Sequence, residues 1–412
     1  MATAMAGSKA GEKIKSGIPT IDESLIENPI ARFSAEEIEQ IGKEFEALHD
    51  EVFDDLGERD AKYIRSIIEL QRRMALIARI LLVGSKYKPL WISGTALLST
   101  AKILENMEIG HNVLHGQWDW MNDPVINSQC WDWDNVSPAS GWKFSHNYVH
   151  HTFTNIRGKD RDLGYEIMRI DPHQKWHPVF LLQPFYNLLL MAFFEWGVAT
   201  HDLDLSAIRK GEEPILPVKE RLKAIGKKAA GQLIKDYVAF PALSGKHWKK
   251  TAAANFTANI VRNVWSYSII FCGHFPDQTY SFSEEETAEE TKGGWYMRQL
   301  LGAANIDGGP FFHVMSGNLG YQVEHHLYPD MPSTRYGEIA PKVREICEKW
   351  GLPYNTGPLH RQLGSVHRTI IRLAFPGGKP RPKPGPYRGD VKRGSGERET
   401  RTDGSANGTG RS

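Results

Sequence analysis

The stretch Gly141–Tyr165, GWKFSHNYVHHTFTNIRGKDRDLGY, places three histidines within six positions. His146 and His150 are four residues apart, so a helix points both side chains from one face, and His151 lies about 100° further round the axis. Three imidazole rings carried so close together can reach a single pocket. The stretch therefore predicts a helix that presents a histidine cluster and continues into a polar loop.

Two further histidine clusters stand upstream and downstream of this stretch. His111 and His115 repeat the four-residue spacing in GHNVLHGQW, and His325 and His326 are adjacent in YQVEHHLYP. A single pair of this kind is usually a surface or core feature. Three clusters drawn from 16 histidines exceed a chance distribution, and together they indicate a metal site.

The residue types narrow the choice of metal. Neutral imidazole suits zinc, copper, iron and nickel. The sequence contains neither a Cys-x-x-Cys pair nor a His-Glu-x-x-His motif, so no structural zinc site or zincin site is indicated. The nitrogens of three histidine clusters are too many for one ion, and they favour two ions that share a site.

The words HNVLH, HNYVHH and QVEHH, in this order, resemble the three histidine boxes of the membrane-bound fatty acid desaturase and hydroxylase superfamily. The flanking words ENMEIGHNVLHGQWDWMNDP, RNVWSYSIIFCGHFPD and SGNLGYQVEHHLYPDMPS are similar to those of actinobacterial acyl-CoA desaturases. The resemblance covers residues 34–370 approximately. It implies a non-haem di-iron centre, held almost wholly by histidine, that activates dioxygen and removes two hydrogens from an acyl chain.

The resemblance also implies a ligand set. It consists of His111, His115, His146, His150, His151, His274, His325 and His326. His274 ends an apolar stretch at the place where family members carry an additional ligand. Gln322 stands where some relatives have a histidine and front-end desaturases have glutamine, so its part in the metal site stays open. His313 lies outside any family box, and we expect it not to be a ligand. Four others match no family pattern and are expected at the surface or in interfaces: His173, His177, His201 and His247.

Glu108 precedes the first histidine cluster on the same predicted helix face, three and seven residues before His111 and His115. A carboxylate there can accept the proton of a ligand's far ring nitrogen and so fix its tautomer. The alternative is a glutamate on the helix surface. Both interpretations are open from the sequence.

Asn155, Asp160 and Asp162 resemble the family's polar continuation of the second box. The two aspartates can orient ligand histidines or bind the headgroup of a thioester. The alternative is turn chemistry around Gly158 and Gly164. The sequence does not separate these roles.

Composition excludes some classes of protein. The chain has 412 residues, with 50 Lys and Arg against 49 Asp and Glu, so no overall charge attracts nucleic acid. Its three cysteines make no disulfide framework and suit a reducing compartment. No secretory signal pattern opens the sequence.

The predicted organisation is a disordered segment at 1–33, a desaturase domain at 34–375 and a disordered basic tail, rich in glycine and proline, at 376–412. Ser34 and Glu37 predict a capping box at the start of a long amphipathic helix. That helix has one apolar stripe, formed by Ile38, Ile41, Phe45 and Leu48. A second amphipathic helix is predicted over Thr334–Trp350.

The fold class that the resemblance implies is all-α: an integral membrane helical bundle with a cytoplasmic helical cap that carries the di-metal histidine site. Hydropathy alone does not require a membrane, because the mean value is −0.43 and no apolar stretch is free of charge. The candidate stretches are Met74–Val83, Leu90–Leu104, Pro178–Thr200 and Ala252–Cys272.

The basic segment 205–235 belongs in the cytoplasm by the positive-inside rule, unless its lysines only form a solvated helix face. If the histidine boxes are also cytoplasmic, both ends of Pro178–Thr200 lie on the cytoplasmic side, so this stretch cannot cross the membrane a single time. We therefore predict an interfacial or re-entrant helix there, and spanning helices near Leu233–Leu243 and Ala252–Cys272. The predicted location is the bacterial inner membrane, multi-pass, with the site facing the cytoplasm.

The function that the resemblance implies is oxygen-dependent insertion of a cis double bond, at carbon nine, into a long-chain acyl-CoA or acyl lipid. No haem, flavin or iron–sulfur motif is present to store electrons, so an external reductase or ferredoxin must supply them from NAD(P)H. The alternatives are a di-iron hydroxylase or ketolase of the same superfamily, a front-end desaturase of the linoleoyl type, and a non-catalytic metal-binding membrane protein. Nucleic acid is not an expected partner.

Overall fold

The computed structural model of the protein describes residues 28–201, 203, 217–378, 381 and 383–388, and in these ranges the chain is mostly helical, as predicted. The α-helices of six or more residues are α1 (Ala35–Asp54), α2 (Glu58–Val83), α3 (Lys88–Leu104), α4 (Gln183–Ala192), α5 (Phe194–His201), α6 (Val218–Ile234), α7 (Trp248–His274), α8 (Lys292–Gly302), α9 (Pro310–Met315), α10 (Gln322–Leu327), α11 (Tyr336–Trp350) and α12 (Leu359–Leu373).

Shorter elements join these helices. Strands β1 (Asn305–Asp307) and β2 (Thr356–Pro358) form a parallel pair with Ile306 opposite Gly357. The π-helical turns are Glu105–His111, Lys143–His150 and Lys235–Ala239. Short α-helical turns are Asn112–Leu114, Ala139–Trp142, His151–Phe153 and Phe240–Ala242. Turns of 3-10 helix are Pro29–Arg32, Asp119–Met121, Leu163–Glu166, Pro178–Leu182, Gly245–His247, Leu319–Tyr321 and Ser333–Arg335.

The predicted capping box of α1 is confirmed. The Ser34 hydroxyl accepts a hydrogen bond from the Glu37 amide at 3.2 Å, and the Glu37 carboxylate accepts one from the Ser34 amide at 2.8 Å. Ile41, Phe45 and Leu48 are buried, so α1 packs its apolar stripe into the core that α8, α10 and α11 complete. This layer holds one side of the histidine clusters.

Helices α2, α3 and α7 pack side by side, and α6 continues through the turns Lys235–Ala239 and Phe240–Ala242 to lie against them. Their connecting turns meet at one end, where the hydroxyls of Ser244 and Thr251 both donate to the Leu82 carbonyl, at 3.1 and 3.0 Å. The other end of α7 is His274, the last of its 27 residues, which lies about 40 Å along the axis from the first. Helix α7 therefore places His274 at the end of the bundle opposite these turns.

Charged side chains are paired inside the bundle. Asp236 accepts hydrogen bonds from Arg79 and Lys102, each at 2.8 Å, and Arg262 pairs with Glu195. These side chains are nearly or fully buried, so each charge has its partner within the protein. The pairs explain why the apolar stretches of the sequence are interrupted by charge.

Among the described residues, no individual helix is both long enough and apolar enough to cross a bilayer. Pro178–Ala192 and Phe194–His201 meet the length and composition requirement only as a pair, and the pair is bent by 102°. The stretch Pro178–Thr200, which we predicted as one helix, is therefore interrupted. The interruption falls at Phe193, between α4 and α5.

Two terminal predictions differ from the structure. Pro29–Arg32 forms a 3-10 turn inside the segment predicted to be disordered. Within the predicted disordered tail, Lys383 donates to the Asp277 carbonyl at 2.9 Å and the Tyr387 amide donates to the Leu352 carbonyl at 2.9 Å. Residues 1–27, 379–380, 382 and 389–412 of these two segments, and Arg209 and Lys210 of the basic segment, lie outside the described residues.

Candidate metal centre

The first two histidine clusters lie where π-helical turns give way to α-helix. His111 ends the π turn Glu105–His111, and His150 ends the π turn Lys143–His150. We predicted regular α-helix at both places. Because π turns bond i to i+5, they change the direction of each side chain relative to α-helical spacing, and they occur frequently at functional sites.

The eight histidines of the predicted ligand set form one buried cluster. Ring centroids are 4.6 Å apart for His111 and His115, 4.7 Å for His115 and His151, and 4.6 Å for His150 and His274. Their donor atoms form three close groups, within 4.8 Å in each: His111, His115, His146 and His325; His150, His274 and His326; and His151, His325 and His326. The third group shares His325 with the first and His326 with the second, so the groups adjoin, and this arrangement suits two neighbouring ions.

Many of these ring nitrogens are buried without a hydrogen-bond partner in the described part of the chain. They are Nε2 of His115, His146, His150 and His325, both nitrogens of His151, and Nδ1 of His274. A buried polar atom without a partner costs free energy, and so many in one place need an explanation. Bound metal ions would use these lone pairs, so the residues present fit a two-metal centre.

Burial, together with neighbouring rings, lowers the pKa of most of these histidines well below the ordinary value: His115, His151, His274, His325 and His326. Burial and His146 lower the pKa of His111 to about 3. These rings are therefore neutral at physiological pH, which is the form that binds a metal. His150 is the exception: burial lowers its pKa, but the carboxylates of Asp160 and Asp162 outweigh burial and raise it overall.

Two carboxylates orient two of the rings. His146 Nδ1 donates to Asp162 at 3.1 Å, and His150 Nδ1 donates to Asp160 at 3.0 Å, so Nε2 of each ring faces the cluster. Asp160 also accepts the amide of Asp162, at 2.9 Å, and thereby organises the turn. Of the roles left open by the sequence, the structure shows the two aspartates orienting histidine rings and forming the turn.

Asn155 supports the turn after the second histidine box and reaches the histidine rings only indirectly. Its side-chain amide donates to the carbonyls of Tyr280 and Gly302, each at 2.8 Å, and touches no histidine ring. Its backbone has φ of 57°, in the left-handed region that asparagine tolerates. Its backbone amide donates to Asp160 at 2.7 Å, so Asn155 acts on the cluster only through that carboxylate.

Two side-chain amides fix the tautomers of further rings. Gln299 donates through Nε2 to the His151 carbonyl at 2.8 Å, so its oxygen is left to accept Nδ1–H of His326 at 2.9 Å. Asn112 donates through Nδ2 to the Glu108 carbonyl at 3.0 Å, and its oxygen accepts Nδ1–H of the adjacent ring, His111, at 3.0 Å. In both rings Nε2 is therefore the bare nitrogen.

Tyr336 does the same for His325. Its hydroxyl donates to the Tyr328 carbonyl at 3.1 Å, so it can only accept from its other neighbours. Those neighbours are Nδ1 of His325 at 3.1 Å and the Gln117 amide at 3.0 Å. The sequence reasoning missed Asn112, Gln299 and Tyr336; only Asn112 is signalled locally, by its position next to His111.

Glu108 fits neither of its two predicted roles. It is fully buried, not on the helix surface, and its carboxylate accepts from Tyr63 at 2.7 Å and Asn318 at 3.1 Å, not from a histidine. Burial raises its pKa to about 8, more strongly than these hydrogen bonds lower it. Glu108 thus ties α2 to the loop before α10, behind the first cluster.

The third cluster gathers His274 and Gln322 from distant parts of the chain. His274 Nε2 lies 3.2 Å from His326 Nε2 and 3.1 Å from Gln322 Nε2. His313 is placed elsewhere: its ring stacks on Tyr321 with centroids 4.1 Å apart, and its Nε2 donates to the Gly308 carbonyl. The expected separation of His313 from the cluster is therefore observed.

For one of the four histidines that match no family pattern, the predicted position was wrong. His201 is buried, with its side chain 6% exposed, and its Nε2 donates to Asp162 at 3.0 Å. Our expectation of a surface or interface position was wrong, because the end of α5 folds back onto the second cluster. His173 and His177 are exposed and His247 is half-buried.

Two cavities reach the cluster. A narrow one of about 40 Å³ runs from His111 and His146 between apolar side chains that include Trp142, Phe194 and Val198. A wider, polar one of about 360 Å³ opens beside His274 and is lined by acidic and basic side chains, Arg157, Asp277, Arg381 and Lys383 among them.

Comparison with known proteins identifies the family of the chain. The sequence model of the family described as Fatty acid desaturase matches residues 89–358. The chain is 46% identical over 350 residues to the NADPH-dependent stearoyl-CoA 9-desaturase of Mycobacterium tuberculosis, covering 84% of this chain and 82% of that protein. It is 25% identical over 280 residues to the sn-1 linoleoyl-lipid 6-desaturase of a Synechocystis species, covering 66% and 76%. Human fatty acid desaturase 3 is 31% identical over 111 residues, covering 27% and 23%. The chain belongs to the fatty acid desaturase family.

Proposed function

We propose that the protein is an oxygen-dependent acyl-CoA desaturase that inserts a cis double bond at carbon nine of a C16 or C18 acyl chain, at a centre of two iron ions. The observation that carries the proposal is the single cluster of eight histidines, six of which have a buried ring nitrogen without a hydrogen-bond partner in the described part of the chain. The named activity of the mycobacterial relative supports the substrate and the bond position. Bound iron would supply the activation of dioxygen.

The chain's own residues would position the substrate. An unactivated methylene offers no acid, base or leaving group, so reactivity depends on which carbon is held beside the cluster. The narrow cavity at His111 and His146 is lined by both polar and apolar side chains, and its apolar part, which includes Trp142, Phe194 and Val198, suits an acyl chain. Its volume of about 40 Å³ is far below the roughly 300 Å³ of a small-ligand pocket, so its lining side chains must move when a long chain binds.

We place the bundle in the bacterial inner membrane, with the cluster on the cytoplasmic side, where acyl-CoA and reductases are found. Large apolar side chains are exposed on several bundle helices: Leu76, Ile80, Ile92, Phe185, Leu189 and Phe256. Exposed apolar surface of this extent marks a membrane or a partner. The charges inside the bundle are paired with one another, so lipid would meet mainly apolar side chains.

Electrons would come from a separate protein. Reduction of dioxygen to two waters takes four electrons, and the two C–H bonds of the substrate supply two. The sequence has no motif for a cofactor that stores the other two. We therefore propose an NAD(P)H-linked reductase or ferredoxin as the partner.

A front-end desaturase is the second candidate, because Gln322, typical of that group, lies inside the cluster. A relative named as a linoleoyl-lipid 6-desaturase also matches the chain. A hydroxylase of the same superfamily would share the histidine cluster and differ only in product. Product structure therefore separates all three.

The reaction is tested by expressing the chain with a reductase in a bacterium that lacks aerobic desaturation and locating double bonds by gas chromatography. We expect a new cis-9 monoenoic acid that requires oxygen and disappears with His150→Ala. A bond nearer the carboxyl end would identify the front-end activity, and a hydroxy acid the hydroxylase. An unchanged lipid profile with active reductase would contradict the proposed substrate class.

The centre is tested by measuring iron in purified protein. We expect close to two iron ions per chain, and lower iron content in His150→Ala and His274→Ala, because both rings belong to the same donor group. His313→Ala is the matched control, since its ring stacks on Tyr321 outside the cluster, and should keep its iron. Stoichiometric zinc in protein grown with ample iron would contradict the di-iron centre.

A further inference from the structure

The Asp162 carboxylate lies between two histidines, one of which belongs to the proposed ligand set. Its Oδ2 accepts Nδ1–H of His146 at 3.1 Å, and its Oδ1 accepts from Nε2 of His201 at 3.0 Å. The two rings approach different oxygens of one carboxylate, and a carboxylate oxygen accepts hydrogen bonds, so Nε2 of His201 is the donor.

The position of the Asp162 carboxylate depends strongly on His201. The position of the neighbouring Asp160 carboxylate depends less on any one of its partners. Asp160 is held by the backbone amides of Asn155 and Asp162, at 2.7 and 2.9 Å, in addition to the ring of His150. For Asp162 the corresponding support among the described residues is the ring of His201 at 3.0 Å, while Nδ1 of His150 lies 3.9 Å from its Oδ2. Removing that ring frees one oxygen and lets the carboxylate rotate away from His146.

His201 is itself fixed by the end of α5. The Arg161 guanidinium donates to the His201 carbonyl at 2.9 Å, and the His201 ring packs against Tyr165 with centroids 5.3 Å apart. On the same helix, Phe194 and Val198 precede His201 by seven and three residues and line the narrow cavity. The helix face that would touch an acyl chain thus also carries the group that holds Asp162.

We infer that His201 is a positioning residue for His146: its Nε2–H holds the Asp162 carboxylate where that carboxylate accepts Nδ1–H of His146, so that Nε2 of His146 faces the metal site. The inference rests on the proposed iron centre. His201 would support a metal ligand through an intermediate residue, Asp162. Loss of an outer partner of this kind commonly changes metal affinity 10- to 100-fold.

The test compares His201→Ala and His201→Gln with wild type in the full-length, iron-loaded enzyme. The control is His360→Ala, an exposed histidine on α12. Iron release to a ferrous chelator and the Mössbauer spectrum report on the metal, and thermal unfolding of iron-free protein reports on the fold. Asp162→Asn, alone and combined with His201→Ala, completes a double-mutant cycle.

We expect His201→Ala to release one of its two irons about 10-fold faster or more and to change one Mössbauer doublet, with unfolding of the iron-free protein unchanged. His201→Gln should recover part of the loss, because an amide N–H can reach Asp162. The double variant should release iron no faster than Asp162→Asn alone. Three results would overturn the inference. They are additive effects of the two substitutions on the rate of iron release, iron release from His201→Ala at the wild-type rate, and a lowered unfolding temperature of His201→Ala that His201→Gln does not restore. Absence of iron in wild type would instead overturn the proposed centre itself.

Discussion

At the scale of single residues, the partners of the ligand rings differ in charge. His146 and His150 donate to carboxylates, whereas His111, His325 and His326 donate to uncharged oxygens. A carboxylate both orients a ring and raises its basicity, while an amide or phenol mainly orients it. His146 and His150 belong to different groups among those made of histidines alone, so each of the two proposed ions would have one ligand supported by a carboxylate.

The uncharged partners should matter for metal binding as well. Gln299→Leu removes the oxygen that accepts Nδ1–H of His326, so the ring can adopt the other tautomer and lose its bare Nε2. We expect iron affinity about 10- to 100-fold weaker, measured as iron retained against increasing chelator. Gln40→Leu, at an exposed position of α1, is the matched control and should retain iron like wild type. Equal retention by both variants would show that packing alone orients His326.

The sequence predicts the ligand rings better than their partners. Spacing within HNYVHH is a local property, so His146, His150 and His151 could be grouped without a structure. Gln299 and Tyr336 reach the cluster only because α8 and α11 pack against α10, which no local pattern records. His201 was missed for the same reason.

At the scale of elements, α1 and α8 cross at two glycines. A Cβ on Gly42 would lie 2.8 Å from the Gly293 Cα, and a Cβ on Gly293 would overlap the Ile38 carbonyl. These distances are shorter than a real Cβ tolerates, so the helices approach this closely only because both residues lack side chains. The crossing fixes α8, and α8 carries Gln299 to the cluster.

Gly293→Ala should therefore push α1 and α8 apart. We expect it to destabilise the protein by about 1–3 kcal/mol, as overpacking does elsewhere, and to weaken iron retention through Gln299. Gly364→Ala on the exposed face of α12 meets no atom within 4 Å and should be neutral or stabilising by up to about 1 kcal/mol. Urea unfolding of both variants measures the difference, and equal stability would contradict a close helix crossing.

Element boundaries divide into those that the sequence predicts and those that it does not. The capping box at Ser34 and Glu37 is a local pattern and was predicted correctly. The break at Phe193 occurs without a glycine or proline at that position. The π turns that end at His111 and His150 differ from α-helix only in that each hydrogen bond spans one more residue. These features depend on how the helices close around the cluster.

At the scale of the whole molecule, distant parts of the chain share one end of the bundle. The histidines come from the turns that follow α3, from the end of α7, from the stretch around Lys143–His150, and from α10. In the described part of the chain, the other end of the bundle holds turns between helices, such as Gly245–His247. Apolar side chains are exposed between these two ends, on α2 and α4 among others.

If the bundle lies in a bilayer, these exposed positions should differ in their access to a water-soluble reagent. Ile80 and Leu189 are each 62% exposed on the bundle, and Val125, on the loop between the first two histidine clusters, is 58% exposed. Without a membrane, cysteines at these positions should react alike. Cys130 is the exposed native thiol, so Cys130→Ser is the background for the experiment.

In native membrane vesicles opened to reagent on both sides, we expect a charged maleimide to label Val125→Cys and to spare Ile80→Cys and Leu189→Cys, because lipid excludes the reagent and disfavours the thiolate. After solubilisation and denaturation in detergent all three should label fully, which controls for expression and oxidation. Labelling is read by the mass shift of the purified chain, and oxygen-dependent desaturation by each variant shows that it is folded. Equal labelling of all three positions in active vesicles would contradict the proposed membrane bundle while leaving the histidine centre untouched.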